Sequence, residues 1–170
     1  MKISSKYGKL VSIIVLVVVV SSLVVGVNLI NPSPIEACRD QGCSVDYWKC
    51  HTDKWVGHCP DEHLDNLFSG ANCYHVGDCG LLNALEGIEH FIQPPDPPVI
   101  HPPDFTFIVG SLLTEGIAAR LNVSCPDIDY HVSGGHVTQM VNDALHSGNH
   151  ITITNVTNLL RGWNNAGFHH

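Results

Sequence analysis

Residues Leu10 to Ile30 form a run of 21 residues interrupted only by Ser12, Ser21, Ser22, Gly26 and Asn28, and Lys2, Lys6 and Lys9 precede it. No other feature constrains the chain as strongly. About 20 apolar residues cross a bilayer, whereas a cleaved signal carries an apolar region of roughly 7–15, so the length points to a retained anchor. Ile35-Glu36-Ala37, following Pro32 and Pro34, offers a cleavage pattern as well, and both readings stand. In either case the three lysines stay cytoplasmic and the chain beyond Asn31 is exported. The chain is therefore read as a basic head (1–9), a transmembrane signal-anchor or signal peptide (10–30), a tether (31–37) and an extracytoplasmic domain (38–170). The expected location is the cell membrane with the C-terminal domain outside, or the exterior if the chain is cut near Ala37. Two variants of this reading are a lipoprotein signal ending at Cys38, in which Glu36 is out of pattern, and a pilin-like signal cut near Gly8, which would make the chain a filament subunit.

The exported part holds all seven cysteines and all twelve histidines. The whole chain carries eight basic residues against sixteen acidic ones, and three of the eight precede the apolar run. Such an acidic domain excludes nucleic acid as a partner, because phosphates demand a basic face. Seven cysteines in an exported chain imply disulfides, with one thiol left over. Cys38, Cys43, Cys50, Cys59, Cys73 and Cys79 lie close together in sequence and are expected to pair among themselves; Cys125 is the candidate unpaired thiol or the link of a disulfide-bonded dimer.

The pattern of apolar residues is mainly helical. Residues 38–80 are rich in Cys, Gly, His and Asp and read as a loop-rich, disulfide-stapled lobe. One short helix is expected inside it, opening at Pro60 with Asp61 and Glu62 in its first turn and carrying Leu64, Leu67 and Phe68. In residues 81–170, Leu81, Leu82, Leu85, Ile88, Phe91 and Ile92 recur at helical spacing behind Asp78, a suitable N-cap. Six prolines between Pro94 and Pro103 forbid helix and make an extended connector. Further helices are expected around Val109 to Leu121, around Val137 to Leu145 after Ser133, and around Val156 to Trp163. Ile151-Thr152-Ile153-Thr154 alternates like a strand but has no partner strand. The expected fold is a small helical bundle with a stapled N-terminal lobe, preceded by one membrane or signal helix.

Within the lobe, Tyr47, Trp48 and Trp55 crowd among cysteines in a chain that is only 7% aromatic, and together with Trp163 they are the expected core aromatics. Gly42-Cys43, Tyr47-Trp48-Lys49, His51 and Trp55 resemble, in order and spacing, the signature of a module found in secreted and cell-surface proteins of bacteria and archaea. That signature is a Gly-Cys pair, a Gly-Tyr-Trp-Lys-Asn-His block and a later tryptophan. Leu81-Leu82-Asn83-Ala84-Leu85, Gly116-Ile117-Ala118-Ala119-Arg120-Leu121-Asn122, Val141-Asn142-Asp143-Ala144-Leu145 and Asn164-Asn165-Ala166-Gly167 are similar to its downstream blocks. The resemblance implies an extracellular domain with no established activity. Asp46, Cys50 and Phe168 depart from the pattern, the last standing where a Gly-Cys pair is usual. If Cys43 normally pairs with that terminal cysteine, here it needs a different partner.

No catalytic motif is present: there is no Gly-x-Ser-x-Gly, no His-Glu-x-x-His and no phosphate-binding glycine loop. The chain is therefore expected to be a structural or interaction module, not an enzyme, with no cofactor and with other surface proteins or glycans as partners. The alternative is a metal-binding protein holding zinc or copper through His51, His58, Cys59 and His63, whose imidazole and thiolate groups suit those ions. Asn122-Val123-Ser124 and Asn155-Val156-Thr157 are candidate N-glycosylation acceptors.

Overall fold

The computed structural model describes residues 42–93 and 104–166. The chain divides into two units, Met1–Ala37 and Cys38–His170, and every described residue belongs to the second. The apolar run 10–30, the tether and the proline-rich stretch lie outside the described residues, as do Cys38 and Phe168. Among the described residues no helix is long and apolar enough to cross a membrane.

The described residues form six α-helices: α1 (Val45–Cys50), α2 (Leu64–Leu67), α3 (Leu81–Gly87), α4 (Phe105–Ser124), α5 (Gly134–Ser147) and α6 (His150–Asn164). Three 3-10 turns, Thr52–Lys54, Ser69–Tyr74 and Ile88–His90, complete the described structure. The protein is thus a small, mainly helical domain, and the described residues include no strand, only an isolated antiparallel bridge between His63 and Gly80.

α4 is the central element because its middle is buried on every side. Beside the stripe of Phe105, Val109, Leu112, Leu113, Ile117 and Leu121, every position from Glu115 to Ala119 is buried, which a one-sided amphipathic stripe would not produce. Helices α6, α5, α3 and α1 all pack against it. Gly116 makes one of these approaches close: a Cβ there would sit 3.0 Å from both Phe68 and Val141. α5 and α6 are amphipathic and owe their starts to side-chain caps. Ser133 Oγ accepts from the His136 amide at 3.3 Å, and Asn149 Oδ1 accepts from the amides of Ile151 and Thr152 at 2.9 and 3.1 Å. The Asn149 cap accounts for Ile151–Thr154: the alternating residues form the first turns of α6, with Ile153 buried and Ile151 exposed.

Two helix starts differ from expectation. Pro60, Asp61 and Glu62 precede α2 instead of opening it, because the backbone here pairs with a distant segment: Leu64 N donates to Cys79 O at 2.9 Å and Leu81 N to Glu62 O at 3.0 Å. The same pairing places Gly80, not Asp78, at the N-cap of α3. The helix beginning at Leu81 also stops earlier than its periodicity suggests. Gly87, at φ 153°, breaks it, and the 3-10 turn Ile88–His90 leaves Phe91 on the surface.

Candidate functional site

Residues from widely separated blocks of sequence meet at one buried point, the side chain of Asn122 on α4. Its Oδ1 accepts from Cys43 N at 2.7 Å and from Trp48 Nε1 at 3.1 Å. Its Nδ2 donates to Cys43 O at 2.9 Å and to Asn164 Oδ1 at 3.0 Å. Asn164, in the last turn of α6, is filled in the same way. Its Oδ1 also accepts from the Tyr130 hydroxyl at 2.8 Å, and its Nδ2 donates to the backbone oxygen and Oε2 of Glu115 at 2.9 and 3.0 Å. An amide side chain has two donor hydrogens and two acceptor lone pairs, so both asparagines are saturated. The chain of contacts reaches the surface where Arg161 Nε donates to Glu115 Oε1 at 2.8 Å.

Gly42 is fitted to this arrangement. Its φ of +109° belongs to glycine, and a Cβ would lie 3.0 Å from Trp163 O and 3.1 Å from Tyr130. Trp48 is buried above the network, and Trp55 Nε1 donates to Trp48 O at 3.1 Å. Burial, then the charge of Glu115, pushes the Tyr130 phenol well above its ordinary range. Burial and then Cys73 push Tyr74 up to about 12, and its hydroxyl donates to Leu145 O.

Of the expected core aromatics, Trp48 is buried, whereas Tyr47, Trp55 and Trp163 are half-buried against the core. Tyr47 spends one face on His51, the rings stacking 4.2 Å apart. The two glycosylation candidates separate. Asn122 is 0% exposed and its Nδ2, the atom a glycan would occupy, makes two hydrogen bonds, so in the folded domain it is not an acceptor; this corrects the sequence expectation. Asn155 is exposed on α6.

The residues of the alternative metal set have separate engagements. His51 Nδ1 lies 2.8 Å from Tyr47 O, His58 Nδ1 3.0 Å from Glu62 Oε2, and His63 3.8 Å from Asp78, while Cys59 is exposed. Among the described residues no three His, Cys, Asp or Glu side chains gather as a metal site would require. Cys50, Cys59, Cys73, Cys79 and Cys125 carry free thiols, where three bridges were expected among the first six cysteines. Cys43 is disulfide-bonded. In this structure the order of the lobe comes from packing: Trp48, Leu64, Phe68 and Tyr74 are all buried in the common core.

A surface groove of about 660 Å³ lies between the loop at His75–Cys79 and the α3 to 3-10 junction, with Glu86, Glu89, His90 and Phe91 on its wall. Sequence periodicity reads these glutamates as an ordinary solvated face. The signal it lacks is the break at Gly87, which sets Glu86 and Glu89 on one wall.

Fold and site together define a small helical domain organised around a saturated asparagine pair. Comparison with protein-family models, with curated proteins and with solved structures gave no significant match.

Proposed function

We propose that this chain is an exported cell-surface module, held at the membrane through residues 10–30 or released near Ala37, whose helical domain serves as a structural or interaction unit without catalysis. The observation that carries the reading is the saturation of Asn122 and Asn164. A reactive centre needs polar groups available to a substrate. Here the most deeply buried amides are committed to the domain's own backbone and to each other. The basic head and apolar run support export, and the acidic composition suits a solvated exterior.

Oxidation of the lobe belongs to the same reading, since an exported chain meets an oxidising environment. Cys50, Cys59, Cys73 and Cys79 are the candidates for bridges within the lobe, and Cys125 for a bridge to a second chain. Asn155 is the remaining glycan acceptor.

The test is a C-terminal phosphatase fusion that is active only after export, combined with thiol alkylation before and after reduction. An active fusion and fewer reactive thiols before reduction are expected. An inactive phosphatase beside a fluorescent cytoplasmic reporter refutes the export reading. Stoichiometric zinc or copper in native preparations replaces it with the metal-binding alternative.

A further inference from the structure

The groove at the α3 to 3-10 junction has a composition that selects a partner. Glu86 and Glu89 form its wall together with Gly87, and the same three residues border a second hollow of about 170 Å³ that reaches Phe107 and Gly110 on α4. The two glutamates therefore stand on a ridge with a hollow on each side. Neither has a hydrogen-bonded or ion-paired partner among the described residues; no lysine or arginine lines the larger hollow, and Lys49, which lines the smaller one, is paired with Asp46 at 3.6 Å.

Each hollow also presents a phenylalanine to solvent. Phe91 lines the first and Phe107 the second, and each is 63% exposed. By contrast, Phe68 and Phe105 are buried. Large exposed aromatics beside unpaired carboxylates form a surface that is apolar, acidic and apolar in sequence across the ridge, a pattern that marks recognition more than solubility. Gly87 builds it. At φ 153° it turns the chain between Glu86 and Glu89, so that both residues line the same two hollows and Phe91 leaves the helical stripe of α3.

We infer that this ridge is a docking surface for a basic, apolar-bearing polypeptide segment of another protein, whose cationic side chains meet Glu86 and Glu89 while its apolar side chains cover Phe91 and Phe107. The charge complementarity sets the sign of the partner, and the flanking aromatics set its amphipathic character. The inference rests on the interaction-module reading proposed for the domain and names that module's partner class.

The experiment uses the full-length chain in nanodiscs of zwitterionic lipid and a fluorescein-labelled peptide of alternating lysine and leucine, with empty discs subtracted. Saturable binding by anisotropy is expected. A lysine-serine and a glutamate-leucine peptide should bind at least about tenfold more weakly. The double substitution Glu86→Gln with Glu89→Gln should weaken the lysine-leucine peptide by roughly three- to tenfold, as two exposed ion pairs would, with the loss shrinking in high salt. Phe91→Ala should weaken it as well, whereas Ile151→Ala, an exposed apolar residue of α6 outside both hollows, should not. Equal binding of the acidic peptide, or equal binding by the glutamine variant, overturns the inference, as does the absence of binding. A failure here alongside an active phosphatase fusion removes the docking surface and leaves the surface-module reading standing; an inactive fusion removes that reading whatever the peptide does.

Discussion

Replacing Asn122 by alanine should be among the most damaging single changes available to this domain. The substitution deletes four hydrogen bonds, two accepted and two donated. Asn164 Oδ1 keeps its bond from Tyr130, but Cys43 N, Cys43 O and Trp48 Nε1 lose the partners described for them. Each buried group left unsatisfied costs about 1–3 kcal/mol, so three give roughly 3–9 kcal/mol before relaxation. Single substitutions seldom exceed about 4–5 kcal/mol because the site adjusts or admits water. The expected loss is about 4 kcal/mol, a large part of the roughly 5–15 kcal/mol that holds a domain together. Urea unfolding of residues 38–170, followed by far-UV circular dichroism, measures it as a fall in midpoint at unchanged slope. Asn122→Asp separates the two halves of the interaction. It keeps the two accepting positions but places a carboxylate oxygen against Cys43 O and Asn164 Oδ1, so it should be nearly as damaging as alanine. A double-mutant cycle with Asn164→Ala should show coupling above about 1 kcal/mol. A loss below about 1 kcal/mol for Asn122→Ala, or strict additivity with Asn164→Ala, refutes the reasoning.

Gly42→Ala should cost about 2–4 kcal/mol in the same assay, since alanine is strained at φ +109° and its methyl meets Trp163 O and Tyr130. In a glycosylating host the folded protein should carry at most one N-glycan, and Asn155→Gln should abolish the mass increment while Asn122→Gln leaves it unchanged. Stability should fall as pH rises above about 10, the ordinary range for tyrosine. Tyr74 and Tyr130 are raised in the folded state, so the unfolded chain loses those protons first; the stabilisation is intact below the unfolded value and is lost through the folded one. Tyr74→Phe or Tyr130→Phe should flatten that alkaline decline in a pH series of urea midpoints. Arg120 Nε is buried with no hydrogen-bond partner, so Arg120→Met should be neutral or stabilising by up to about 1 kcal/mol, measured as a rise in urea midpoint.

The helices were legible from periodicity because their buried faces are continuous: Val137, Val141, Ala144 and Leu145 on α5 form the stripe that the sequence displays. What periodicity misses is hydrogen bonding between distant segments. The pairing of residues 62–64 with 79–81 moves two helix starts, and the cap at Asn149 decides that a strand-like tetrapeptide is helical. The central network was only half legible. Gly42, Cys43, Trp48, Asn122 and Asn164 lie in separate stretches of the sequence, and nothing in their order indicates that they touch. Asn122 shows why a short motif misleads: the same three residues satisfy a glycosylation pattern and a core position, and burial alone separates them. The glutamate ridge was illegible because it depends on a single backbone angle at Gly87.

The asparagine pair also bears on when the domain can finish folding. Asn122 lies 79 residues after Cys43, and Asn164 a further 42 beyond it, so the bonds that join them close nearly the whole described length. A chain emerging from its N-terminus can form α1 and α4 early, but Asn122 keeps an open donor until α6 arrives. Such late closure makes the final packing step depend on contacts that span the domain, which slows it relative to the local helices. The last helix then acts as a latch, sealing the domain only once Asn164 reaches Asn122.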